Sequence, residues 1–263
     1  MSVQSVLVEY SEAETLVTLS AILFNKRWIL LPAAALIVSL NKNSVMNSVD
    51  KSIVQVFCGN GWGTGILIDK ANGIFITGSH VVKSGDTNPI TLKWRNRQFP
   101  CTLAYRTPGV PIYDIAVLQC LPRHISEMSQ VKFSTKPAKK GENVLAAGYP
   151  IFNSLDFIFP VITKGNISLT DSCILHTTCC ILAGSSGGAI FRESGELLGV
   201  IVCHTTVTLK NEFVVYPKIN MAIPISAIRK PLLEYIKTRD GTTLATLDSQ
   251  DPNEKPIINT DIG

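Results

Sequence analysis

Short apolar runs separated by turn signals dominate the middle of the chain. Between residues 52 and 223, runs rich in Val, Ile, Phe and Thr alternate with Gly, Pro, Asn and Asp. A spacing of about eight to twelve residues between turns is typical of a β-sandwich or β-barrel. Candidate strands fall into a first set at 52–58, 65–69, 73–77, 90–94, 98–105 and 115–119, and a second set at 143–147, 157–167, 172–178, 189–191, 197–203 and 213–223. The sequence therefore predicts an all-β fold of two barrels.

The boundaries between domains follow from breaks in this pattern. Lys136–Gly141 contains Pro, Lys and Gly, and we expect it to link the barrels. After Pro224, apolar residues recur at helical spacing, which predicts a C-terminal helix. The predicted division is an N-terminal segment at 1–50, a first barrel at 51–135, a second barrel plus the helix at 136–238, and a loose tail at 239–263.

The N-terminal segment contains a short stretch that is similar in sequence to part of the first barrel. Ala21–Lys26 parallels Gly65–Lys70, and an apolar run follows each of them. In this alignment Ala34 takes the place of His80. We therefore hypothesise that residues 1–50 are a remnant of a degenerate, inactive barrel, with two unrelated hairpins as the alternative. The apolar stretch 28–40 is too short to span a membrane, which needs about 20 residues, so no membrane span is predicted.

Charge and cysteine content exclude several classes of partner. The net charge is +4 and the basic residues are scattered, so no nucleic-acid surface is predicted. The seven cysteines include several within apolar runs, which predicts free thiols in a reducing compartment rather than a disulfide framework. No Cys-x-x-Cys pair occurs, and we expect neither a metal site nor a cofactor.

The segment Gly184-Ser185-Ser186-Gly187-Gly188 has the clearest chemical meaning. Glycines around a serine allow a tight turn in which two backbone N–H groups converge beside the side chain. We predict Ser186 as a nucleophile, and the N–H groups of Gly184 and Ser186 as an oxyanion hole. Such a segment is often only a flexible turn. Here the apolar run 189–191 and the strand 197–203 follow it, which favours a loop between barrel strands.

His80 and Asp114 supply the groups that such a nucleophile needs. His80 ends an apolar strand, and Asp114 opens the wholly apolar run 115–118. A carboxylate in that position is costly to bury unless it is hydrogen-bonded. Its best partner is the Nδ1–H group of His80, whose tautomer and orientation it would fix. Taken separately, each residue also has an ordinary structural explanation at the end of a strand.

The order of the three residues narrows the class of enzyme. His80, Asp114 and Ser186 follow one another as in chymotrypsin-like barrels, and not as in subtilisins or α/β-hydrolases. Over about residues 52 to 238 the chain resembles the trypsin-like family. The resemblance implies a chymotrypsin-like fold of two six-stranded β-barrels with a C-terminal helix. It also implies a serine endopeptidase with the site in the cleft between the barrels.

Two positions distinguish the chain from secreted trypsins, which have Cys after the catalytic His and Asp before the catalytic Ser. Here Val81 and Ser185 occupy those positions, as in the HtrA/Deg-like branch. Within that branch the chain resembles the peroxisomal leader-peptide-processing proteases, through 61–65, 113–117, 177–188 and 216–225. This resemblance implies precursors with targeting leader peptides as substrates, cleavage after Cys, self-cleavage and association with further copies of the chain.

The resemblance also places the pocket for the residue before the cut. The floor is expected six residues before the nucleophile, at Cys180, and the wall includes Cys203, His204 and Thr205. Without a carboxylate at the floor, a Lys or Arg side chain of the substrate would be buried unpaired. The sequence therefore predicts a preference for small uncharged side chains, Cys among them.

The family implies the peroxisomal matrix as the location, although the chain ends in Asp261-Ile262-Gly263 rather than a Ser-Lys-Leu-type signal. The cytoplasm is the alternative. Two other functions remain open from the sequence: an HtrA-like quality-control protease without a PDZ domain, and a pseudoprotease that serves as a binding subunit.

Overall fold

Three strands near the amino end form a small antiparallel sheet of their own, within a compact unit that spans Met1–Leu40. The structure, a computed structural model, describes residues 5–12, 15–24, 27–32, 48–83, 88–108, 113–150, 159–209 and 212–248. Strand β2 (Thr15–Phe24) pairs with β1 (Ser5–Glu12) on one side and with β3 (Arg27–Pro32) on the other. Ala34 lies outside the described residues, so the degenerate-barrel interpretation stays a hypothesis.

Six strands close the first barrel. They are β4 (Ile53–Cys58), β5 (Gly61–Asp69), β6 (Ile74–Thr77), β7 (Ile90–Trp94), β8 (Arg97–Arg106) and β9 (Ala116–Gln119). Around the barrel their order is β4-β5-β6-β9-β8-β7, and β7 pairs back with β4. The β-branched and aromatic residues that predicted these strands fill the interior, where Val54, Val56 and Phe75 belong to one buried cluster.

A second closed sheet follows along the chain. Its strands are β11 (Asn143–Gly148), β12 (Val161–Thr170), β13 (Leu175–Thr177), β14 (Ala189–Arg192), β15 (Glu196–Leu209) and β16 (Glu212–Pro224). They run in the order β15-β14-β11-β12-β13-β16, and β16 pairs back with β15. The short strand β10 (Lys132–Phe133) precedes the predicted boundary at 136, yet it joins this second sheet in parallel with β15. The predicted pair of six-stranded barrels is confirmed.

The two barrels share one hydrophobic core. In β6, Ile74 and Ile76 lie in this shared cluster, whereas Phe75 between them faces the interior of the first barrel. Since successive side chains of a strand point to opposite faces, both faces of β6 are buried. This explains why the run carries no alternating polar residues. Phe191 and Val200 of the second barrel complete the shared cluster from the other side.

The predicted C-terminal helix is present, and the chain continues beyond it in ordered contact with the core. Helix α1 (Ile225–Thr238) buries Ile228 and Leu232, and Pro224 precedes its first turn. A 3-10 helix at Gly241–Leu247 then buries Leu244 and Leu247. The prediction of a loose tail from residue 239 is therefore wrong up to Asp248, because two leucines in a largely polar segment are buried against the core. The remainder of the predicted tail lies outside the described residues.

The described residues also bear on the predictions about cysteines, membrane spans and metal sites. Six cysteines are described and none of them is in a disulfide, whereas the side chain of Cys203 lies outside the described part. In the described part of the chain, no helix has the length and apolar character needed to cross a lipid bilayer. Over the same residues, no three His, Cys, Asp or Glu side chains cluster as metal ligands would.

Candidate active site

The pairing of β6 with β9 brings His80 and Asp114 together. His80 lies in the 3-10 turn Ser79–Val82 that directly follows β6, and Asp114 comes two residues before β9. These strands are antiparallel neighbours, with Thr77 opposite Ala116. The end of one strand and the beginning of the other therefore meet at the same edge of the first barrel.

Asp114 holds His80 at two points. Its Oδ1 accepts a hydrogen bond from the backbone N–H of His80 at 2.9 Å, and its Oδ2 contacts the imidazole Nδ1. The carboxylate side chain is only 11% exposed, whereas the imidazole is 47% exposed. The carboxylate is thus shielded and fixes the orientation of the ring, while the other side of the ring remains open to a substrate.

Ser186 belongs to the loop Leu182–Gly188, here called the nucleophile loop, which lies against the first barrel. Gly187 has φ of +80°, a region that favours glycine. A Cβ added to Gly187 would lie 2.1 Å from the carbonyl oxygen of Thr64 and 2.8 Å from the backbone nitrogen of Gly78. The loop therefore directly contacts the segment that leads into His80.

The hydroxyl of Ser186 makes its hydrogen bond within the second barrel. Its Oγ donates to the carbonyl oxygen of Val202 at 2.9 Å. Among the described residues it has no hydrogen bond to His80.

Two N–H groups beside the hydroxyl are available to a ligand. The neighbouring amides are engaged: the N–H of Ser185 donates to Leu182, and that of Gly187 to Ile201, at 3.0 and 2.7 Å. Within the described residues, the N–H groups of Gly184 and Ser186 donate to no protein acceptor. These are the two groups predicted from the sequence as oxyanion donors.

The predicted floor residue, Cys180, follows β13 and is half-buried. Its carbonyl oxygen accepts a hydrogen bond from the hydroxyl of Thr163 at 2.9 Å. Next to it, burial raises the pKa of the Cys179 thiol, which keeps that group uncharged. Strand β15 carries the predicted wall residues Cys203, His204 and Thr205, whose side chains lie outside the described part of the structure.

Sequence reasoning missed two buried polar residues at the site. Asn220 is fully buried, and its side-chain amide donates to the carbonyl oxygens of Thr177 and Cys179, next to the predicted floor. Thr64, also fully buried, bonds to the nucleophile loop. The available signal was a polar residue within an otherwise apolar or glycine-rich strand. Such a residue must find a partner when it is buried.

Comparison with known proteins identifies the family. Residues 63–200 match the trypsin-like peptidase domain family. The chain belongs to the trypsin-like serine peptidases. This peptidase is 30% identical, over 74% of its length, to the peroxisomal leader peptide-processing proteases of Homo sapiens and Mus musculus. It is 27% identical, over 77% of its length, to serine endoprotease DegS of Haemophilus influenzae, of which it covers 59%. It spans about a third of the two peroxisomal relatives, 34% of each.

Solved structures share the fold of this trypsin-like peptidase. A serine endoprotease from Yersinia pestis superposes with a TM-score of 0.59 at 23% identity, over 74% of this chain and 66% of that one. The HtrA-type protease AlgW, solved with a tripeptide, gives a TM-score of 0.57 at 20% identity, over 74% and 63% of the two chains. The predicted class of fold and family is therefore confirmed.

Proposed function

We propose that the chain is a serine endopeptidase in which Ser186 is the nucleophile, His80 the general base and Asp114 the group that orients His80. The observation that carries the proposal is the two-point contact of the shielded Asp114 carboxylate with His80. The His80–Asp114 pair lies beside the nucleophile loop, which carries Ser186 and two N–H groups that have no acceptor among the described residues. A carboxylate bound to Nδ1 leaves Nε2 as the basic atom that faces the cleft.

The first step of the proposed reaction is a change of hydrogen-bond partner. The Ser186 hydroxyl leaves the Val202 carbonyl oxygen and turns to Nε2 of His80. Its Oγ attacks the scissile carbonyl carbon while His80 takes the proton, and the N–H groups of Gly184 and Ser186 stabilise the oxyanion. His80 then gives the proton to the leaving amine, and water hydrolyses the acyl-enzyme by the same steps.

We further propose that the substrates are precursor proteins with peroxisomal leader peptides, cleaved after a small uncharged residue such as Cys. Support comes from the names of the relatives in Homo sapiens and Mus musculus. Support also comes from Thr163 and Asn220, described residues that bring polar but neutral groups to the backbone of Cys180 and Cys179. Neither of these two groups is a carboxylate that could pair with a cationic substrate side chain.

The test compares two versions of one precursor that carries a leader peptide. In the first version Cys precedes the cleavage site, and in the second Lys replaces that Cys. We expect the chain to remove the leader from the first version only, and Ser186→Ala to remove neither. Equal cleavage of both versions, or preferential degradation of unfolded casein, would instead favour the alternative of an HtrA-like quality-control protease.

The same relatives support a peroxisomal location, which we propose for this chain. The chain fused at its amino end to a fluorescent protein is expected to co-localise with a peroxisomal matrix marker. A diffuse cytoplasmic signal, in cells where the marker itself is imported, would contradict the location without affecting the proposed chemistry.

A further inference from the structure

Thr64 lies where the first barrel contacts the nucleophile loop. It is a fully buried residue of β5. Its backbone N–H donates to the carbonyl oxygen of Ser186 at 2.8 Å, and its hydroxyl donates to the carbonyl oxygen of Gly184 at 2.9 Å. One residue of the first barrel thus bonds to two peptide groups of a loop in the second.

The direction of the Thr64 hydroxyl is determined by a third contact. The backbone N–H of Tyr149 donates to Thr64 Oγ1 at 2.9 Å. A hydroxyl has one hydrogen to donate and two lone pairs to accept with. Because the Tyr149 N–H occupies a lone pair, the hydroxyl hydrogen is directed to Gly184. The Thr64 side chain therefore bridges a strand end of the second barrel and the loop.

This bridge completes the anchoring of one peptide group. The peptide between Gly184 and Ser185 is held at its oxygen by Thr64 and at its nitrogen by the carbonyl oxygen of Leu182. Peptide groups are planar, so fixing both ends fixes the orientation of the whole unit. The peptide between Ser186 and Gly187, two units further along, is held in the same way by the Thr64 N–H and by the carbonyl oxygen of Ile201.

The two candidate oxyanion donors lie on either side of the anchored Gly184–Ser185 peptide. The N–H of Gly184 precedes it and the N–H of Ser186 follows it, so their directions depend on its orientation. Gly184 has φ of +93°, where a glycine is free to take other conformations. Without the Thr64 hydroxyl, only the Ser185–Leu182 bond would remain on this peptide.

We infer that Thr64 is a positioning residue for the oxyanion hole. Its hydroxyl holds the Gly184–Ser185 peptide so that the N–H groups of Gly184 and Ser186 converge on the substrate carbonyl oxygen. The inference rests on the proposed function, since an oxyanion forms only if Ser186 attacks a carbonyl. Interactions that strengthen in the transition state change kcat rather than KM.

The test measures kcat and KM on a reference peptide with Cys before the scissile bond. Thr64→Val keeps the shape and the backbone bond but removes the hydroxyl, and we expect kcat to fall about 10- to 100-fold with KM within about twofold. Thr64→Ser restores the hydroxyl, and its kcat should stay within about threefold of the wild type. Ser52→Ala removes another buried hydroxyl of the first barrel, which bonds to Val49 rather than to the loop, and should leave kcat unchanged.

The outcomes separate the two proposals. Wild-type hydrolysis that Ser186→Ala does not abolish would overturn the proposed function itself. If Ser186→Ala abolishes hydrolysis but Thr64→Val keeps the wild-type kcat, or if Thr64→Ser loses as much kcat as Thr64→Val, only the Thr64 inference is overturned. Should Thr64→Val fail to melt cooperatively, Thr64→Cys replaces it. A thiol is a weak donor, so an unchanged kcat for this variant would also overturn the inference.

Discussion

Gly187 shows at the scale of a single residue how tightly the nucleophile loop fits the first barrel. We predict that Gly187→Ala abolishes hydrolysis, because the new Cβ would lie 2.1 Å from the Thr64 carbonyl oxygen at a φ of +80°. The measurement is the rate of peptide hydrolysis compared with that of Ser186→Ala. Gly241→Ala is the matched control, since nothing lies within 4 Å of the added Cβ. Activity of Gly187→Ala close to that of the wild type would contradict the described fit.

Two thiols of the first barrel should be chemically inert in the folded protein. Burial raises the pKa of Cys101 to about 12, with the nearby Cys120 and Cys58 adding to the shift, and burial raises the pKa of Cys120 to about 11. Since the thiolate is the reactive form, both groups are protonated and slow to react at pH 8. We predict no iodoacetamide adduct on either residue by peptide mass mapping of native protein, and full labelling after denaturation. Rapid labelling of either thiol in native protein would contradict the prediction.

Individual residues differ in how far the sequence reveals them. His80, Asp114 and Ser186 could be proposed because their types, order and spacing match a known arrangement. The acceptor of the Ser186 hydroxyl, Val202, could not be predicted, because a backbone carbonyl leaves no signature in the residue type. Thr64 was visible as a threonine between two glycines, but its partners come from 85 and 120 positions away.

At the scale of elements, the segment between the barrels is fixed by one arginine. Arg192 of β14 contacts Glu142, the hydroxyl of Ser134 and the carbonyl oxygen of Pro137, so it holds both ends of the predicted linker. Burial by itself raises the pKa of the Glu142 carboxyl. Hydrogen bonds from the Arg192 guanidinium and the Lys139 backbone N–H lower it, as do the positive charges of the Arg192 and Lys139 side chains. Together they bring that pKa below its ordinary value of 4.5.

The lowered pKa of Glu142 predicts a pH-dependent contribution to stability. A carboxyl with a lower pKa in the folded state stabilises the fold above its unfolded pKa, and this contribution is lost as the pH falls through the folded value. We expect Glu142→Gln to lower the free energy of unfolding by about 1 kcal/mol at pH 7, and by progressively less below pH 4.5. Urea titrations at several pH values measure this difference.

The matched control for that experiment is Glu127→Gln. Glu127 pairs with Arg97 on the surface, where its side chain is 63% exposed. Exposed ion pairs contribute little, so this substitution should change the free energy of unfolding by less than about 0.5 kcal/mol at any pH. An equal loss of stability for the two variants at pH 7, or a loss for Glu142→Gln that does not change with pH, would contradict the role given to Glu142.

The segment after helix α1 is a second element with a measurable role. Arg239 pairs with Asp69 of β5 at 3.0 Å, and Leu244 is fully buried in the shared core. We predict that Leu244→Ala lowers the free energy of unfolding by about 2 to 5 kcal/mol, the range for a leucine removed from a packed core. Leu233→Ala, on an exposed face of α1, is the matched control and should cost less than about 1 kcal/mol. Equal effects on the urea midpoint would show that the segment is not part of the core.

For the whole molecule, the architecture was accessible from the sequence because local and global patterns agree. Turn spacing, β-branched runs and the position of the linker all indicated two barrels, and the helix after Pro224 followed from its period. The ordered segment through Asp248 was missed, since its anchoring depends on two leucines and on distant partners such as Asp69 and Tyr105. Those contacts exist only after the first barrel has formed.

The two-barrel architecture distributes the candidate site residues over both barrels. The first barrel holds His80 and Asp114, and the second carries the nucleophile loop and the strands around Cys180. The shared core and the Thr64 hydrogen bonds hold the nucleophile loop in a fixed position against the first barrel. The role of residues 1–50 and the association of the chain with further copies of itself stay predictions.

The most direct test of the proposed triad is the covalent adduct with diisopropyl fluorophosphate. Intact mass and peptide mapping should show one adduct on Ser186 of the native protein and none after denaturation. We expect no adduct on Ser186→Ala, and a strongly slowed reaction for His80→Ala. An adduct on the adjacent Ser185, or the absence of any adduct from natively folded protein, would contradict the claim that His80 activates Ser186 across the cleft between the barrels.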